Sequence, residues 1–260
     1  MSDVFFQILT PMPLNSQGEA RKLFNIWAQH APGFFPDRTG PEEPLSEPFS
    51  LDLLDEALRH WTYMFSVKRV ASPKLEASVF MQHGPHRDGH STWTISLRRL
   101  RDFDQAVFSN LLRHTASAFN ADFGFIHHIT EAEIKRKQDD TIGFLDTART
   151  EKTMFVTTHD LKKYVPDVYW TTIFGAPYVK LFSREKFLSA PAHRVEELEN
   201  GSVVLQLTPD LSDTVTDEAA FESVRKAVKD HLDSDAFLDA RKGTEHRYAV
   251  PEFVWSPVLH

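Results

Sequence analysis

The sequence predicts an α+β fold in which helices pack on a mainly antiparallel sheet. Short runs rich in β-branched and aromatic residues alternate with apolar stripes at helical spacing. Turn residues separate several of these runs by distances that suit hairpins. The chain has 260 residues, of which 41% are hydrophobic and 21 are Phe, and a fold of this length buries roughly three quarters of its unfolded surface. We therefore expect a single domain over residues 1–260, with two similar ββα-containing halves (1–150 and 151–260) as a hypothesis.

The N-terminal elements begin with a short strand at residues 4–9, which is rich in strand formers. Ser16 and Glu19 have the spacing of a capping box, and an apolar helical stripe follows them. Residues 32–48 hold several prolines and glycines, so they are predicted to be a loop that lies on the body of the protein. Ser50 is the predicted cap of a second helix.

A hairpin is predicted from two strand-like runs at residues 75–82 and 92–97, which a turn-rich loop joins. Asp102 then stands where a helix N-cap is expected, ahead of an apolar stripe that ends at Phe119. A further strand is expected at residues 123–129.

The next block combines a strand, a helix and a second hairpin. Residues 169–174 are aromatic and β-branched, as strands favour. Pro177 suits the first turn of a helix, where its missing N–H costs nothing. Asn200 and Gly201 favour a type I′ hairpin turn.

The C-terminal part ends with a helix and a last strand. Asp217 is the predicted cap of a helix whose apolar side carries Ala220 and Val228. Residues 248–255 are predicted to form an edge strand. The order of hairpin, Asp cap and helix therefore recurs at residues 75–119 and 193–232, which is the basis of the two-halves hypothesis.

Composition excludes several classes of site. The chain has no cysteine, so disulfides, thiolate metal sites and cysteine nucleophiles are absent. The first residues lack the basic start and the cleavage site of a signal peptide, and no apolar run approaches the ~20 residues of a membrane span. We expect a cytoplasmic protein with no membrane partner.

A group of loop histidines is the one tight cluster of metal-ligand types. His83, His86 and His90 lie with Asp88 in a loop rich in Gly and Pro, and zinc requires about four such ligands. The spacing matches no known metal signature, so solvent-exposed histidines are the favoured interpretation and no metal is expected. A metal-dependent hydrolase that uses these histidines is the alternative.

Two further patterns bear on catalysis. His127 and His128 are expected to point to opposite faces of a strand, one buried and the other exposed. The sequence has no Gly-rich phosphate loop and no GxSxG elbow, and its paired acids stand at helix starts or in loops. These features predict that the protein is not an enzyme and uses no cofactor.

Charge is unevenly distributed along the chain. The net charge is −8. Residues 37–59 carry −5 and residues 208–240 carry −6, whereas residues 63–101 carry +5. Concentrated negative charge repels nucleic acid and attracts basic proteins. Direct nucleic-acid binding is therefore not expected, although either acidic stretch alone could be an ordinary solvated surface.

The C-terminal part of the chain holds a distinctive set of aromatic, Gly and Pro residues. They are Tyr164, Pro166, Tyr169, Trp170, Phe174, Gly175, Pro177, Leu181, Phe182, Leu188 and Pro191, with a weaker continuation through residues 205–208 and 248–255. This part of the chain resembles immunity proteins of bacterial polymorphic toxin systems, in the family paired with restriction-endonuclease-like nuclease toxins, including toxins exported by type VI secretion. The resemblance implies a non-enzymatic protein that binds one cognate nuclease toxin and blocks it.

Two acidic groups are the candidate surfaces for such a partner, because a nuclease presents basic groups to phosphate. The first acidic group, which the sequence ranks first, consists of Asp210, Asp213, Asp217, Glu218 and Glu222. The second acidic group consists of Glu42, Glu43, Glu47, Asp52 and Asp55. A general assembly or scaffold protein is a third hypothesis for the whole chain.

Overall fold

A computed structural model describes residues 4–82, 88–130, 133, 155–242 and 245–255. Ten strands in this part of the chain form one sheet, and every pair of neighbouring strands is antiparallel. The strands are β1 (Val4–Thr10), β2 (Arg38–Thr39), β3 (Glu47–Pro48), β4 (Met64–Arg69), β5 (Leu75–Phe80), β6 (Ser91–Leu97), β7 (Phe123–His128), β8 (Thr171–Phe174), β9 (Arg194–Glu197) and β10 (Val203–Gln206). Their order across the sheet is β3-β2-β4-β5-β6-β1-β7-β8-β10-β9. The predicted α+β class is confirmed.

The α-helices pack on this sheet and connect its strands. They are α1 (Gln17–His30), α2 (Leu54–Ala57), α3 (Gln105–Ala118), α4 (Thr158–Leu161), α5 (Ala176–Phe182), α6 (Arg184–Leu188), α7 (Asp213–Thr216) and α8 (Glu218–Leu232). Short 3₁₀ turns occur at Pro32–Phe34, Leu58–His60, Leu100–Asp102, Ser234–Ala236 and Ala240–Lys242. No helix in the described ranges is long and apolar enough to cross a membrane.

The centre of the sheet is covered on both faces. On the first face, Phe6 of β1 packs against Trp93 and against Phe108 of α3, with ring centroids 5.0 and 6.4 Å away. On the second face, Phe123 of β7 lies 5.6 Å from Tyr178 of α5. Every residue of β1 and β7 is buried, which explains why residues 4–9 alternate poorly between apolar and polar residues.

The sheet is partly open on its second face over β4 and β5. The alternating burial of β5 shows this directly, because Leu75 is buried whereas Glu76 is exposed. Met64 and Phe80 face each other across β4 and β5, and they are 46% and 38% exposed. Helices of the second half cover this face only at the central strands.

The strand order has the same form on either side of β7. In the first half the hairpin strands β5 and β6 are followed by β1, which precedes them in the chain. In the second half the hairpin strands β9 and β10 are followed by β8, which also precedes them. The two similar halves remain a hypothesis.

Helix caps test the local predictions. Ser16 and Glu19 form the expected capping box, and the Asp217 carboxylate accepts the Ala220 N–H as predicted. The cap of α3 is Asp104, not Asp102, because Asp102 lies within the preceding 3₁₀ turn.

Two turns also differ from the predictions. Ser50 does not cap α2, because Leu53 holds the N-cap position and no side chain caps the helix there. At the second hairpin, only Gly201 has a positive φ, of 78°, whereas a type I′ turn needs two such residues. The Gly201 N–H donates to the Leu198 carbonyl over 2.9 Å, and the Leu198 N–H donates to Ser202 over 2.8 Å. This pattern is a type I turn followed by a glycine bulge.

The predicted C-terminal strand is not formed. Residues 245–255 contain no strand. Instead, Phe253 and Trp255 pack edge-on against His90, with ring centroids 4.8 and 4.9 Å away. Aromatic packing on the body therefore replaces pairing with a sheet edge.

Candidate partner-binding sites

The first acidic group lies around α7 and the start of α8. The Asp210 carboxylate accepts from Gln105 Nε2 over 3.0 Å, and that of Asp213 accepts the Asp210 N–H over 3.1 Å. The Asp217 carboxylate accepts the Ala220 N–H over 3.2 Å. These carboxylates stabilise the turn and the helix start in which they lie.

The last two members of this group are less available than the sequence suggested. Glu222 forms an ion pair with Arg225 over 3.1 Å, and 30% of its side chain is exposed. Glu218 is half-buried. The first acidic group is therefore largely occupied by contacts within the protein.

The second acidic group lies in the loop that contains β3 and in α2. The Glu43 carboxylate accepts the Leu45 N–H over 3.1 Å, and Asp55 forms an ion pair with Arg21. The other members are exposed and form no ion pair and no side-chain hydrogen bond within the described ranges: Glu42, Glu47 and Asp52. Leu51 and Leu53 beside them are 42% and 38% exposed. This group therefore presents free carboxylates together with apolar surface.

The two acidic groups belong to separate surfaces. Glu47 lies in β3 at one edge of the sheet, whereas Thr214 in the first group's α7 contacts His128 at the end of β7. Six strand-to-strand steps separate β3 from β7, which corresponds to roughly 25–30 Å at the usual spacing. The two acidic groups are therefore too far apart to form one compact binding surface for a partner.

His90 is turned into the protein and is not a free ligand. Its side chain is fully buried, Nε2 lies 3.1 Å from Asp122 Oδ2, and Nδ1 lies 3.0 Å from Thr158 Oγ1. His83 and His86 lie outside the described residues. In the described part, no three His, Asp or Glu side chains converge to hold a metal ion. The described residues thus give no support to the hydrolase alternative.

His127 and His128 are both buried, at 0% and 2% exposure, so the expectation that one is exposed was wrong. The reason is that helices cover both faces of β7. His127 Nδ1 accepts the Trp170 N–H over 3.3 Å, and Nε2 donates to Glu133 over 3.0 Å. His128 Nδ1 bonds to Thr214 Oγ1 over 3.2 Å. Both rings are structural.

A buried ionic cluster surrounds Arg225, which the sequence analysis missed. Arg225 lies on the buried side of α8, whereas the predicted core residue Ala220 is exposed. Its guanidinium donates to Glu133 over 2.9 Å and lies 3.7 Å from Asp167. Burial alone would lower the pKa of Arg225, but these carboxylates together with Glu222 raise it above its ordinary value. The cluster stabilises a charged pair inside the fold.

An open pocket of about 330 Å³ lies at one end of the central strands. Its position follows from strand register, since Phe123 pairs with Phe174 and Phe174 pairs with Val203. The residues one step outside these pairs are Asp122, Gly175 and Ser202. Asp122 and Ser202 both line the pocket.

Gly175 allows the pocket to form by bringing two backbones together. Its N–H donates to the Asp122 carbonyl over 2.9 Å. A Cβ at this position would lie 2.2 Å from the Ala121 carbonyl oxygen and 2.7 Å from Asp122 Cα. Only glycine therefore fits this approach.

Two buried acceptors face the pocket. Asp122 is 5% exposed and Ser202 is 2% exposed. Asp122 Oδ2 bonds to His90, but neither Asp122 Oδ1 nor Ser202 Oγ has a hydrogen-bond partner among the described residues. Neither atom is fully enclosed without a partner, so both are accessible from the pocket.

Asp122 forms no ion pair with a lysine or arginine among the described residues. Burial lowers the pKa of His90, so its ring is neutral at pH 7 and donates Nε2–H without supplying positive charge. Burial, and secondly the charge of Asp122, raise the pKa of Tyr178 well above its ordinary value. The cation at the rim, Lys180, is held by Glu252 over 2.8 Å, and both side chains are mostly exposed.

The sequence held one signal for this pocket. Phe174, Gly175 and Pro177 stand out as a strand, a break and a helix start, and Pro177 lines the pocket. Asp122 and Ser202 carry no such signal, because the register that brings them together joins segments far apart in the chain.

Comparison with known proteins finds similarity in fold to a solved structure. No family model matches the chain, and no curated protein matches it in sequence. The solved structure of the Pseudomonas aeruginosa T6SS protein PA0821 matches with a TM-score of 0.50 and 11% sequence identity. The match covers 95% of this chain and 92% of that one.

This similarity concerns the fold. At 11% identity the side chains of a binding surface are not expected to be shared, whereas the arrangement of strands and helices is. The match spans nearly the whole of both chains, so it includes both halves and the sheet that joins them.

Proposed function

We propose that this chain is an immunity protein of a type VI secretion system, which binds a cognate nuclease toxin and neutralises it before it cuts DNA. The observation that carries the proposal is the similarity in fold, along 95% of the chain, to the P. aeruginosa T6SS protein. The nuclease partner comes from the resemblance of residues 164–191 to immunity proteins paired with nuclease toxins. The protein would act in the cytoplasm of the producing cell, where that cell's DNA lies.

The residues that carry the family resemblance are mostly in the core. Tyr169, Trp170 and Phe174 are at most 2% exposed. They support a shared fold and cannot themselves contact a toxin. The contact must use exposed side chains, which differ between proteins that recognise different toxins.

The second acidic group is the surface that fits this role best. Its free carboxylates can steer a basic partner, and Leu51 and Leu53 can be buried on contact. We therefore rank it above the first acidic group, whose carboxylates are mostly engaged. Binding of this kind needs no catalytic residue and no cofactor, and we propose that the protein is not an enzyme.

Neutralisation is the direct test of the proposed function. A candidate nuclease toxin encoded beside this gene would be expressed in host bacteria with and without this chain. We expect growth and intact chromosomal DNA only when both are present. With purified proteins, cleavage of plasmid DNA should stop at about one equivalent of this chain. Toxicity that persists at excess chain would contradict the proposal.

Charge reversal distinguishes the two acidic groups. The triple variant Glu42→Lys, Glu47→Lys, Asp52→Lys should slow association with the toxin by about ten-fold or more at low salt, because electrostatic steering is lost. Its association rate should also depend less on ionic strength. Stopped-flow or biosensor kinetics at several salt concentrations would measure both effects.

A variant of the first group is the matched control. Asp210→Lys with Glu218→Lys changes the net charge by about four units, against about six in the triple variant, and leaves the second group intact. We expect its association rate to stay within about three-fold of that of the unmodified protein, since steering depends on charge near the contact. A larger effect in this variant than in the triple variant would assign the contact to the first group.

A further inference from the structure

The pocket at the end of the central strands has the chemistry of a site for one basic side chain. It combines buried acceptors with apolar walls, which Pro11, Pro177 and Val254 provide. Its volume of about 330 Å³ is at the low end of the ~300–1,000 Å³ typical of ligand sites. A single long side chain therefore fits better than a nucleotide or another large ligand.

The polar atoms of the pocket select for a hydrogen-bond donor. Asp122 Oδ1 and Ser202 Oγ are unpartnered within the described residues and lie in side chains that are more than nine-tenths buried. Because both atoms are open to the pocket, a donor group on a ligand can bond to them in place of water. The Asp122 carboxylate also adds negative charge that a neutral His90 does not offset.

We propose that this pocket binds the guanidinium or ammonium end of an Arg or Lys side chain from the partner protein. The cationic group donates to Asp122 Oδ1 and Ser202 Oγ, and its aliphatic stem packs between the prolines and Val254. Lys180 stays at the rim, where Glu252 neutralises it over 2.8 Å. The biological role of the site rests on the proposed function, because a nuclease toxin offers basic side chains.

The pocket is separate from both acidic groups. It lies at the Phe123 end of β7, whereas Thr214 in α7, the helix beside the first acidic group, contacts His128 at the opposite end of that strand. The second acidic group lies in and around β3, at one edge of the sheet. A toxin that inserts a basic side chain here would approach the ends of the central strands.

The test uses two small probes that differ in charge. Nα-acetyl-arginine amide is the cationic probe, and Nα-acetyl-citrulline amide is its neutral isostere. In ¹⁵N–¹H NMR titrations of the full chain, we expect saturable shifts at Asp122, Gly175 and Ser202 with the arginine probe. The citrulline probe should bind about ten-fold more weakly or worse, since it lacks the charge.

Two variants test the site by different means. Asp122→Asn removes the charge but keeps an acceptor for His90, and it should lower the affinity for the arginine probe by about ten-fold. Ala176→Phe fills the mouth from an exposed position and leaves Asp122 unchanged, so it should block the probe even if Asp122→Asn perturbs folding. Asp52→Asn removes an acid elsewhere and should bind as the unmodified protein does.

Equal binding of the two probes, or unchanged binding in both pocket variants, would overturn the proposal. So would shifts that occur only outside the pocket. These experiments contain no toxin, so they can fail while neutralisation succeeds, and the reverse also holds.

Discussion

At the residue scale, several buried polar side chains of this protein have defined structural partners. His127 donates to Glu133, Arg225 joins the same carboxylate, and His90 lies between Thr158 and Asp122. Buried polar groups need such partners, because an unmet donor or acceptor costs about 1–3 kcal/mol. These histidines and charged residues, whose types could suggest catalysis or metal binding, therefore mainly stabilise the fold.

His128 makes stability sensitive to acid. Burial is the main cause that lowers its pKa from 6.5 to about 4. Above pH 6.5 the ring is neutral in both the folded and the unfolded state, so it adds no pH dependence. As the pH falls from 6.5 to 4, the unfolded state gains the proton first, and stability is lost. We expect this residue to reduce the free energy of unfolding by up to about 3 kcal/mol over that range.

Urea denaturation of the unmodified protein and of His128→Asn at several pH values would measure this loss. The amide of Asn can keep a bond to Thr214 but does not titrate, so the variant's stability should fall less steeply below pH 6.5. His193→Asn is the control, because His193 is exposed. Parallel curves for the unmodified protein and His128→Asn would show that the ring does not have this effect.

Sequence reasoning could not assign these residue roles. Alternation along β7 correctly placed His127 and His128 on opposite faces, as strand geometry requires. It could not show that both faces are covered, because the covering helices belong to distant parts of the chain. Arg225 was also missed, because a charged residue is normally assigned to the solvent side of a helix.

At the element scale, local signals worked where two residues reinforced each other. Ser16 and Glu19 form a reciprocal cap, and that pair predicted the start of α1 correctly. Asp102 was a single signal with no second residue to support it, and the structure places the cap two residues later, at Asp104. Asn200 and Gly201 placed the second hairpin correctly but not its turn type, because a longer loop also accommodates this pair.

Gly175, which follows β8, is the glycine with the strongest steric requirement. Its φ is −77°, so conformational freedom is not the reason. A Cβ would meet backbone atoms of Ala121 and Asp122 at 2.2 and 2.7 Å, and backbone cannot move aside cheaply. We expect Gly175→Ala to lower the free energy of unfolding by about 3 kcal/mol or more, measured by urea denaturation.

Gly33→Ala is the matched control for this substitution. A Cβ at Gly33 meets no atom within 4 Å, and its φ is not in the left-handed region. This variant should be neutral or more stable by about 0.4–1 kcal/mol, because alanine restricts the unfolded chain. Equal stabilities of the two variants would mean that the close approach at Gly175 is not required.

At the scale of the whole molecule, β7 joins the two halves. Phe125 of β7 stacks on Tyr169 with ring centroids 4.0 Å apart, and His127 stacks on Phe221 at 5.8 Å. The α+β class and most strands followed from the sequence. The strand order did not, because β1 pairs with β6 and β7, which lie far along the chain. The pocket depends on that order, so it was equally inaccessible to sequence reasoning.

This shared interface predicts that the chain unfolds as one cooperative unit. Far-UV circular dichroism and tryptophan fluorescence should give coincident urea transitions. The variant Trp170→Phe with Trp255→Phe leaves only Trp27, Trp61 and Trp93, which all lie in the first half. Its fluorescence and circular dichroism midpoints should also coincide, because the first half cannot unfold without uncovering the aromatic surface of β7.

Separate fragments extend the same argument. Residues 1–150 without 151–260 would expose Phe123 and Phe125, which are fully buried in the whole chain, so this fragment should self-associate or bind a hydrophobic dye. Expressed together, the two fragments should copurify as a complex. The free energy of unfolding of this complex should be only partly reduced relative to that of the whole chain. Two separate transitions in the whole chain, or a monomeric and cooperatively folded fragment 1–150, would instead indicate two independent domains. In that case a toxin could bind one half alone. If the chain unfolds as a single unit, however, binding energy gained anywhere on its surface adds to the stability of the central sheet.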